Sequence, residues 1–418
     1  MLSLLSNVVY YTTQLIQVII FIVGCYFFSI SIFGWIKQKE TDAKSYAPQK
    51  KFALIIAAHN EEKVIGHVIE SLNKQNYPKE LYDIYVIADN CTDNTAQIAA
   101  NHGALVYTRV NNELRGKGYA LEWMFSKIFS MQKEYDAVSV FDADNLVSSN
   151  YLMEMNAKLC EGHKVIQGYI DSKNPYDSWI TCSYSIAFWL SNRIFQLPRY
   201  NLGLSCSLCG TGFCVDMDIL KQIGWGATCL TEDLEFTMKL ALNNLKVAWA
   251  HNAVVYDEKP LTLKQSWNQR IRWMQGHADC ASRFLLPLFK KAFKDGDLIS
   301  FDNAIYLFQP IRFIFVGLTT IMMWIQTVFP QSPFYSLSYV FPVGVWYVFS
   351  ALQFFYGPFI LLIEKKFSPK LLFAFIIYPI YCLTWIPITI QGFLRKNNKD
   401  WMHTHHSREI SISDLEKA

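Results

Sequence analysis

The chain reads as a doubly wound α/β domain set between membrane-spanning helices, and three observations predict that class. An uncharged apolar run lies near the N-terminus, strand-like and helix-like stretches alternate from residue 52 to about 260, and long apolar segments return after residue 300. Hydrophobic residues make up 52% of the chain and aromatics 16%, more than a soluble enzyme usually carries, so a membrane part is expected. A formal net charge of +3 over 418 residues offers no polyanion-binding surface, which sets nucleic-acid binding aside. The ten cysteines are scattered, with Cys25 and Cys382 inside apolar runs, so reduced thiols facing the cytosol are expected rather than a disulfide framework.

From Val8 to Ile36 there is no charged residue, and the run exceeds the ~20 residues needed to cross a bilayer. It lacks the basic start and small-residue cleavage site of a removable signal peptide, so residues 1–36 are read as a retained transmembrane helix. Lys37, Lys39, Lys44, Lys50 and Lys51 follow it and nothing basic precedes it. The positive-inside rule then places residues 37–262 in the cytosol, and a multi-pass chain in the plasma membrane is expected.

Within 37–262, "FALIIAAH" (52–59) is a short apolar run, and "EEKVIGHVIESLNKQ" (61–75) repeats Val64, Ile65, Val68, Ile69 and Leu72 at helical spacing. "YDIYVIAD" (82–89) reads as a strand and "NTAQIAANHG" (94–103) as a helix ending at Gly103. "ALVYTRV" and "AVSVFDAD" continue the strand series. Ligands of doubly wound sheets sit at the carboxyl ends of strands, where Asn60, Asp89 and Asp142 fall.

Two stretches, 179–200 and 263–289, mix aromatic and apolar faces with arginines and are expected to lie in the membrane interface; the second belongs to a region 263–300 carrying "QRIRW". Three further spans are expected within 301–395, at 311–330, 339–363 and 371–394, with a tail at 396–418. The basic loop "EKKFSPK" (364–370) is expected in the cytosol. One span before the α/β domain and three after it put the basic tail outside, against the charge rule. Either one C-terminal segment does not cross, with 311–330 the weakest because Arg312 begins it, or the rule fails here.

The chemistry concentrates in short motifs. "SVFDADN" (139–145) ends a strand in Asp142-Ala-Asp144, where alternate carboxylates can point to one hard cation such as Mg2+ or Mn2+; the competing reading is a solvated turn. In "IADNCTDNTA" (87–96), Asp89 can accept hydrogen bonds from a ligand's base or ribose, while Asp93 or Thr92 can simply cap a helix. Lys117 in "RGKGYAL" precedes a helix and can meet a phosphate. In "LTEDLEF", Glu232 and Asp233 fit the first turn of a helix capped by Thr231, and Asp233 fits equally as a general base. Cys206 and Cys209 form a lone C-x-x-C that lacks the other two ligands of a zinc site, so a turn lining a pocket fits better. Arg270, Arg272 and Trp273 in "NQRIRWMQG" suit a solvated face, a lipid anchor or a site for an anion.

In their order, these motifs resemble family 2 glycosyltransferases, specifically the membrane-embedded processive synthases of cellulose, mixed-linkage glucan, hyaluronan or chitin-like chains. "AAHNEE", with Asn60 and Glu61, resembles the family's first nucleotide-binding strand end, "ADNCTD" its first aspartate and "GKG" its phosphate-side lysine. "FDADN" resembles the metal-binding D-x-D, "CGTG" the acceptor-site turn, "TED" the catalytic base and "QRIRW" the Q-x-x-R-W. The resemblance implies a GT-A fold, a UDP-sugar donor and an inverting single displacement. By the same carry-over, Asn60, Glu61, Asp89, Lys117, Asp142, Gln269 and Arg272 bind the nucleotide sugar. Asp144 with Asp142 holds the metal, and Asp233 with Glu232 forms the catalytic pair. Cys209, Gly210 and Trp273 face the acceptor sugar, and Arg270 is a bystander toward the lipid headgroups.

The resemblance extends to product and partners: a β-glucan made from UDP-glucose, passed through the protein's own spans, with membrane lipids and accessory secretion subunits around it. The alternatives are a hyaluronan-, chitin- or poly-N-acetylglucosamine-type synthase using UDP-GlcNAc, a non-processive transferase to a lipid carrier, and a transporter with a cytosolic α/β domain. Two departures stand out. No cyclic-dinucleotide-binding barrel is expected after the last span, and no F-x-V-T-type gating loop is recognisable between Gly276 and Asp302. "DWMHTHH" resembles a Trp-x-x-Thr tail in which Trp401 and Thr404 cover the nucleotide.

Overall fold

The computed structural model describes residues 2–36, 42–226, 229–334, 343–397 and 408–415. The eight strands are β1 (Phe52–Ala58), β2 (Tyr82–Asp89), β3 (Leu105–Arg109), β4 (Ala137–Asp142), β5 (Leu146–Val147), β6 (Val165–Ser172), β7 (Phe213–Asp216) and β8 (Val247–Asp257). They form one sheet in the order β3-β2-β1-β4-β7-β6-β8-β5. β3, β2, β1 and β4 run parallel, whereas β7 is antiparallel to both β4 and β6. The chain leaves β1 toward β2 and β3 and then returns to β4 on the other side of β1, which opens a crevice at the carboxyl ends of these strands.

Helices cover both faces of the sheet: α1 (Leu2–Ile32) precedes it, and α2 (Ile65–Asn73), α3 (Thr95–Asn101), α4 (Lys117–Phe129) and α5 (Tyr151–Cys160) follow its early strands. β1 shows why its sequence is apolar throughout: Ala53 and Ile55 enter one core with Leu121 and Met124 of α4, while Leu54 and Ile56 enter the other with Val68 and Leu72 of α2.

Next come α6 (Trp179–Ser191), a π-helical turn (Asn192–Gln196), α7 (Leu197–Asn201), α8 (Met217–Ile223) and α9 (Glu232–Leu242). The stretch expected to lie in the membrane interface at 179–200 is instead wedged inside the protein. Tyr184, Trp189, Arg193 and Arg199 are buried, because one side packs on the sheet and the other meets C-terminal helices.

The remaining helices are α10 (Leu263–Asp295), α11 (Leu298–Val328), α12 (Val343–Ile363), α13 (Pro369–Leu383), α14 (Trp385–Leu394) and the short α15 (Ile412–Leu415). By length and composition Leu4–Ile32, Leu298–Val328 and Phe373–Leu394 are apolar enough to cross a membrane, and the uncharged α12 runs for 21 residues. Residues 339–342 of the expected second C-terminal span lie outside the described residues.

The ends of these helices are tied to the α/β domain. Arg199 grips Asp302 of α11 through Nε at 2.7 Å and a terminal nitrogen at 3.0 Å, and Tyr26 of α1 donates to the same carboxylate at 2.9 Å. The loop after α12 is held by Arg193 donating to Glu364 at 2.9 Å and by Lys366 donating to Asp171 at 2.6 Å.

The segment expected as one span at 371–394 consists of α13 and α14, which meet at Thr384 in helical conformation, and it is anchored at both ends. Leu371 joins the core that holds Trp189. At the other end Gly392 lies so close to Met274 of α10 that an added Cβ would meet its Cβ at 2.4 Å. Gln275 also donates to the Arg395 carbonyl at 3.0 Å. Beyond it, Arg408 donates through its backbone to Glu258 at 3.2 Å and through its guanidinium to Asp177 at 2.5 Å. Trp401 and Thr404 lie outside the described residues.

Candidate active site

A cavity of about 1790 Å3 opens at the carboxyl ends of β1, β2 and β4, and Asn60, Glu61, Asp89, Lys117, Asp142, Asp144, Cys209, Gly210, Glu232, Asp233, Gln269, Arg272 and Trp273 all line it. At its sheet end, Asn60 takes up a left-handed conformation (φ 56°) in which its side-chain oxygen accepts from the Thr92 backbone at 2.8 Å. This joins the loops that follow β1 and β2. Glu61 and Asp89 are buried beside it. Asp89 is held by Arg109, the last residue of β3, at 2.5 Å, and Arg109 donates onward to the Leu114 carbonyl at 2.6 Å. Arg109 was not singled out from the sequence; a charged residue ending a strand opposite Asp89 was the available signal.

Lys117 opens α4 after Gly116, whose φ of 107° favours glycine. Its ammonium donates to the Gly210 carbonyl at 2.7 Å and pairs with Asp142. Burial pulls its pKa down, but Asp142, Glu232 and Asp233 outweigh burial and hold it above the ordinary lysine range.

Asp142 ends β4, but Asp144 lies in the turn beyond it, so the two carboxylates do not share a strand face as the spacing implied. The turn is pinned by Asn145, which accepts from the Asp142 backbone at 3.1 Å, and Asp144 accepts from the Glu258 backbone at 3.1 Å. Among the described residues no three metal-ligating side chains cluster. Two oxygen donors of this kind fit a hard divalent cation that completes its shell with water and ligand phosphate.

The "CGTG" turn is positioned from β6: Gln167 accepts from the Cys209 backbone at 2.9 Å and donates to the Thr211 carbonyl at 2.9 Å. Gly210 has φ 79°, and a Cβ there would stand 3.5 Å from the Asp233 carboxylate. Burial pushes the Cys209 thiol up to about 12, so it stays protonated as packing material. Glu232 and Asp233 occupy the first turn of α9, where Thr231 makes no side-chain cap bond. Burial, followed by the neighbouring Glu232, pushes the Asp233 carboxyl up to about 7. Burial likewise raises Glu232, with Lys117 opposing it.

From the other side α10 presents "QRIRW". Gln269 accepts from the Tyr184 hydroxyl at 3.0 Å. Arg272 lines the cavity, and its buried Nε has no hydrogen-bond partner. Trp273 stacks on Trp385 at 6.5 Å and 21°, completing a wall with Phe188. Arg270 does not face headgroups: it is fully buried, lies over the Tyr381 ring at 4.4 Å and the Trp385 ring at 5.1 Å, and donates to Thr384 at 2.8 Å. It fastens α10 to the α13–α14 junction.

The arrangement can deprotonate a hydroxyl at Asp233 while Lys117 and Arg272 supply positive charge nearby, a division of labour suited to transfer away from an anionic leaving group.

The chain is similar to several known proteins. A probable glycosyltransferase, YdaM, of Bacillus subtilis is 26% identical over 354 residues, 81% of each chain. A beta-monoglucosyldiacylglycerol synthase of Synechocystis is 28% identical over 253 residues, 56% of this chain and 50% of that one. A poly-beta-1,6-N-acetyl-D-glucosamine synthase of Staphylococcus epidermidis is 27% identical over 251 residues, 57% of each. The chain thus spans about half the length of the latter two. Among solved structures, the mannosyltransferase PcManGT of Pyrobaculum calidifontis, in complex with GDP-Man and Mn2+, aligns with a TM-score of 0.58 at 15% identity, over 91% of this chain and 99% of that one. That likeness is one of fold, and it makes the α/β part a GT-A domain. The family described as "Glycosyltransferase like family 2" matches residues 48–276, from just before β1 to the glycine that closes "NQRIRWMQG". With more than half of its 418 residues in that match, the chain belongs to this family of glycosyltransferases.

Proposed function

We propose that the protein is an inverting β-glycosyltransferase that takes a hexose from a UDP-sugar, with glucose the first candidate, and adds it to an acceptor reaching the site from the membrane. Asp233 removes the proton from the acceptor hydroxyl, whose oxygen bonds to the anomeric carbon as the bond to the diphosphate breaks on the opposite face. Lys117 and Arg272 receive the departing charge, and Asp89, fixed by Arg109, holds the uridine side. Asp142 and Asp144 would hold Mg2+ or Mn2+, which supplies charge neutralisation of the diphosphate when bound. Trp273 offers an apolar face to the acceptor ring.

The first reading of the acceptor is a growing β-linked polysaccharide. The observation that carries it is the reach of the cavity: from Asp233 it continues past Trp273 to Phe27 of α1, Phe313 of α11 and Tyr356 of α12. A second reading, transfer to a lipid, is favoured by Arg312 at that membrane end and agrees with the lipid product in the name of the Synechocystis relative. The poly-N-acetylglucosamine relative keeps UDP-GlcNAc as the alternative donor.

The ties described above support a cytosolic α/β domain with α1, α11 and α12 crossing the membrane and α13–α14 lying along its inner face. This arrangement leaves the basic tail in the cytosol and removes the conflict with the charge rule.

One assay tests the reading. Purified full-length protein is given single radiolabelled UDP-sugars with Mn2+ or Mg2+, and the product is sized before and after glycan hydrolases and extracted with organic solvent. Polymer supports the first acceptor and extractable label the second; no transfer from any UDP-sugar sinks the proposal.

A further inference from the structure

The membrane end of the cavity contains a cation that the reaction just described does not use. Arg312 lies on α11, six residues and so ~9 Å along the helix beyond Tyr306, and both line the cavity. Its guanidinium stands 5.3 Å from the Phe27 ring centre and 5.9 Å from that of Phe313, and its buried Nε has no hydrogen-bond partner. Asp302, earlier on the same helix, is already bound by Arg199 and Tyr26. Among the described residues Arg312 has no ion pair. Gln309, about one turn before it, lines the same cavity and carries an amide that can donate.

A guanidinium in such surroundings is costly to leave uncompensated, and functional ligands commonly account for charges placed inside a membrane segment. A neutral sugar chain supplies no counter-charge, whereas a phosphate oxygen pair matches the guanidinium fork. Two aromatic rings flank the cation, which suits an anion whose other end is apolar.

We propose that Arg312, assisted by Gln309, forms a subsite for a phosphate carried on a lipid, reached between α1 and α11. This rests on the membrane-borne acceptor of the proposed function. The phosphate can come from a bilayer phospholipid or from a phosphate-bearing lipid acceptor, and the two sources separate experimentally.

Full-length wild type, Arg312→Gln and Arg312→Lys are purified, exchanged into mild detergent, offered phosphatidylglycerol or phosphatidylcholine, and examined by native mass spectrometry. Wild type and Arg312→Lys should retain phosphatidylglycerol, with Arg312→Gln weaker by about tenfold to a hundredfold; that result assigns the bilayer source. Retention instead of a co-purifying glycosylated phospholipid by the same two proteins assigns the acceptor source. Equal retention by all three, or none by wild type, overturns the subsite. UDP binding checks that Arg312→Gln is folded. Arg312-dependent lipid retention in a protein that transfers no sugar would overturn the proposed function and leave the subsite standing.

Discussion

The Arg109 guanidinium sits 2.5 Å from the Asp89 carboxylate, and both groups are buried at the end of neighbouring parallel strands. The pair fixes the Asp89 carboxylate at the wall of the cavity, which the loops after both strands border. Removing one member of a buried pair leaves the other uncompensated, at a cost of about 3 kcal/mol or more. Arg109→Met should lower stability by that order and weaken UDP binding. Asp89→Asn with Arg109→Met should recover much of the stability but not the UDP affinity. Denaturant unfolding and calorimetric titration with UDP check both halves; recovery of affinity in the double variant would remove Asp89 from the nucleotide site.

Asp233 carries the clearest pH prediction. With its pKa pushed to about 7 by burial and Glu232, it is a competent base only above that value, so kcat/KM should fall about tenfold per pH unit below it. Glu232→Gln removes the neighbouring charge and should move the acid limb to lower pH. Asp233→Asn should abolish transfer while leaving UDP binding largely intact. The stability sign also follows. A carboxyl whose folded pKa lies above its unfolded value contributes stability that is fully present below the ordinary aspartate pKa and is lost as pH rises from there through about 7. Asp233→Asn should therefore melt higher than wild type above pH 7. A profile flat between pH 5 and 8 would exclude Asp233 as the base.

Much of this site was legible because its groups follow apolar strands directly: a carboxylate after "YVIA" or "SVF" has nowhere to go but the crevice. What stayed hidden depended on partners far away in sequence. Arg270 looked exposed because its cage is built from Tyr184, Tyr381 and Trp385, three residues with no local relation to it. The burial of α6 was invisible for the same reason: its aromatic face reads alike whether lipid or α13 covers it. The displacement of Asp144 from the strand came from Asn145 folding back on Asp142, a turn that period-two spacing does not encode.

Gly276 closes the motif and has a steric task. A Cβ at this position would stand 2.3 Å from the Thr231 hydroxyl oxygen and 2.8 Å from its backbone nitrogen. The glycine lets α10 press against the "TED" turn and brings Arg272 and Asp233 to one cavity. Gly276→Ala must push the two apart, so transfer should fall by about a hundredfold, the scale of an ~1 Å misplacement. UDP affinity should change much less. Wild-type kinetics in Gly276→Ala would show that this contact does not govern the site.

If Trp273 stacks against the acceptor as proposed, Trp273→Ala opens the cavity wall that it forms with Trp385 and Phe188. It should impair chain or lipid product formation more than hydrolysis of the donor by water, which needs no ring to stack. Parallel assays of product and of free hexose measure the ratio, and equal loss of both would count against acceptor stacking.

The anchorage of α13–α14 at Leu371 and Gly392 makes a prediction about the two chain ends. If α1, α11 and α12 cross and α13–α14 does not, the chain crosses an odd number of times and its termini lie on opposite sides. If α13–α14 crosses as well, the number is even and both termini lie outside. Epitope tags fused to each end, probed in intact cells and in inside-out vesicles, separate these cases. The C-terminal tag should be reached only in the vesicles, on the same side as the α/β domain, because Arg408 is bound to Asp177 and Glu258 there. Detection of both tags on intact cells would mean that Leu371 and Gly392 do not share the cytosolic domain as their anchor. The Arg408 contacts would then be lost in the membrane-bound protein.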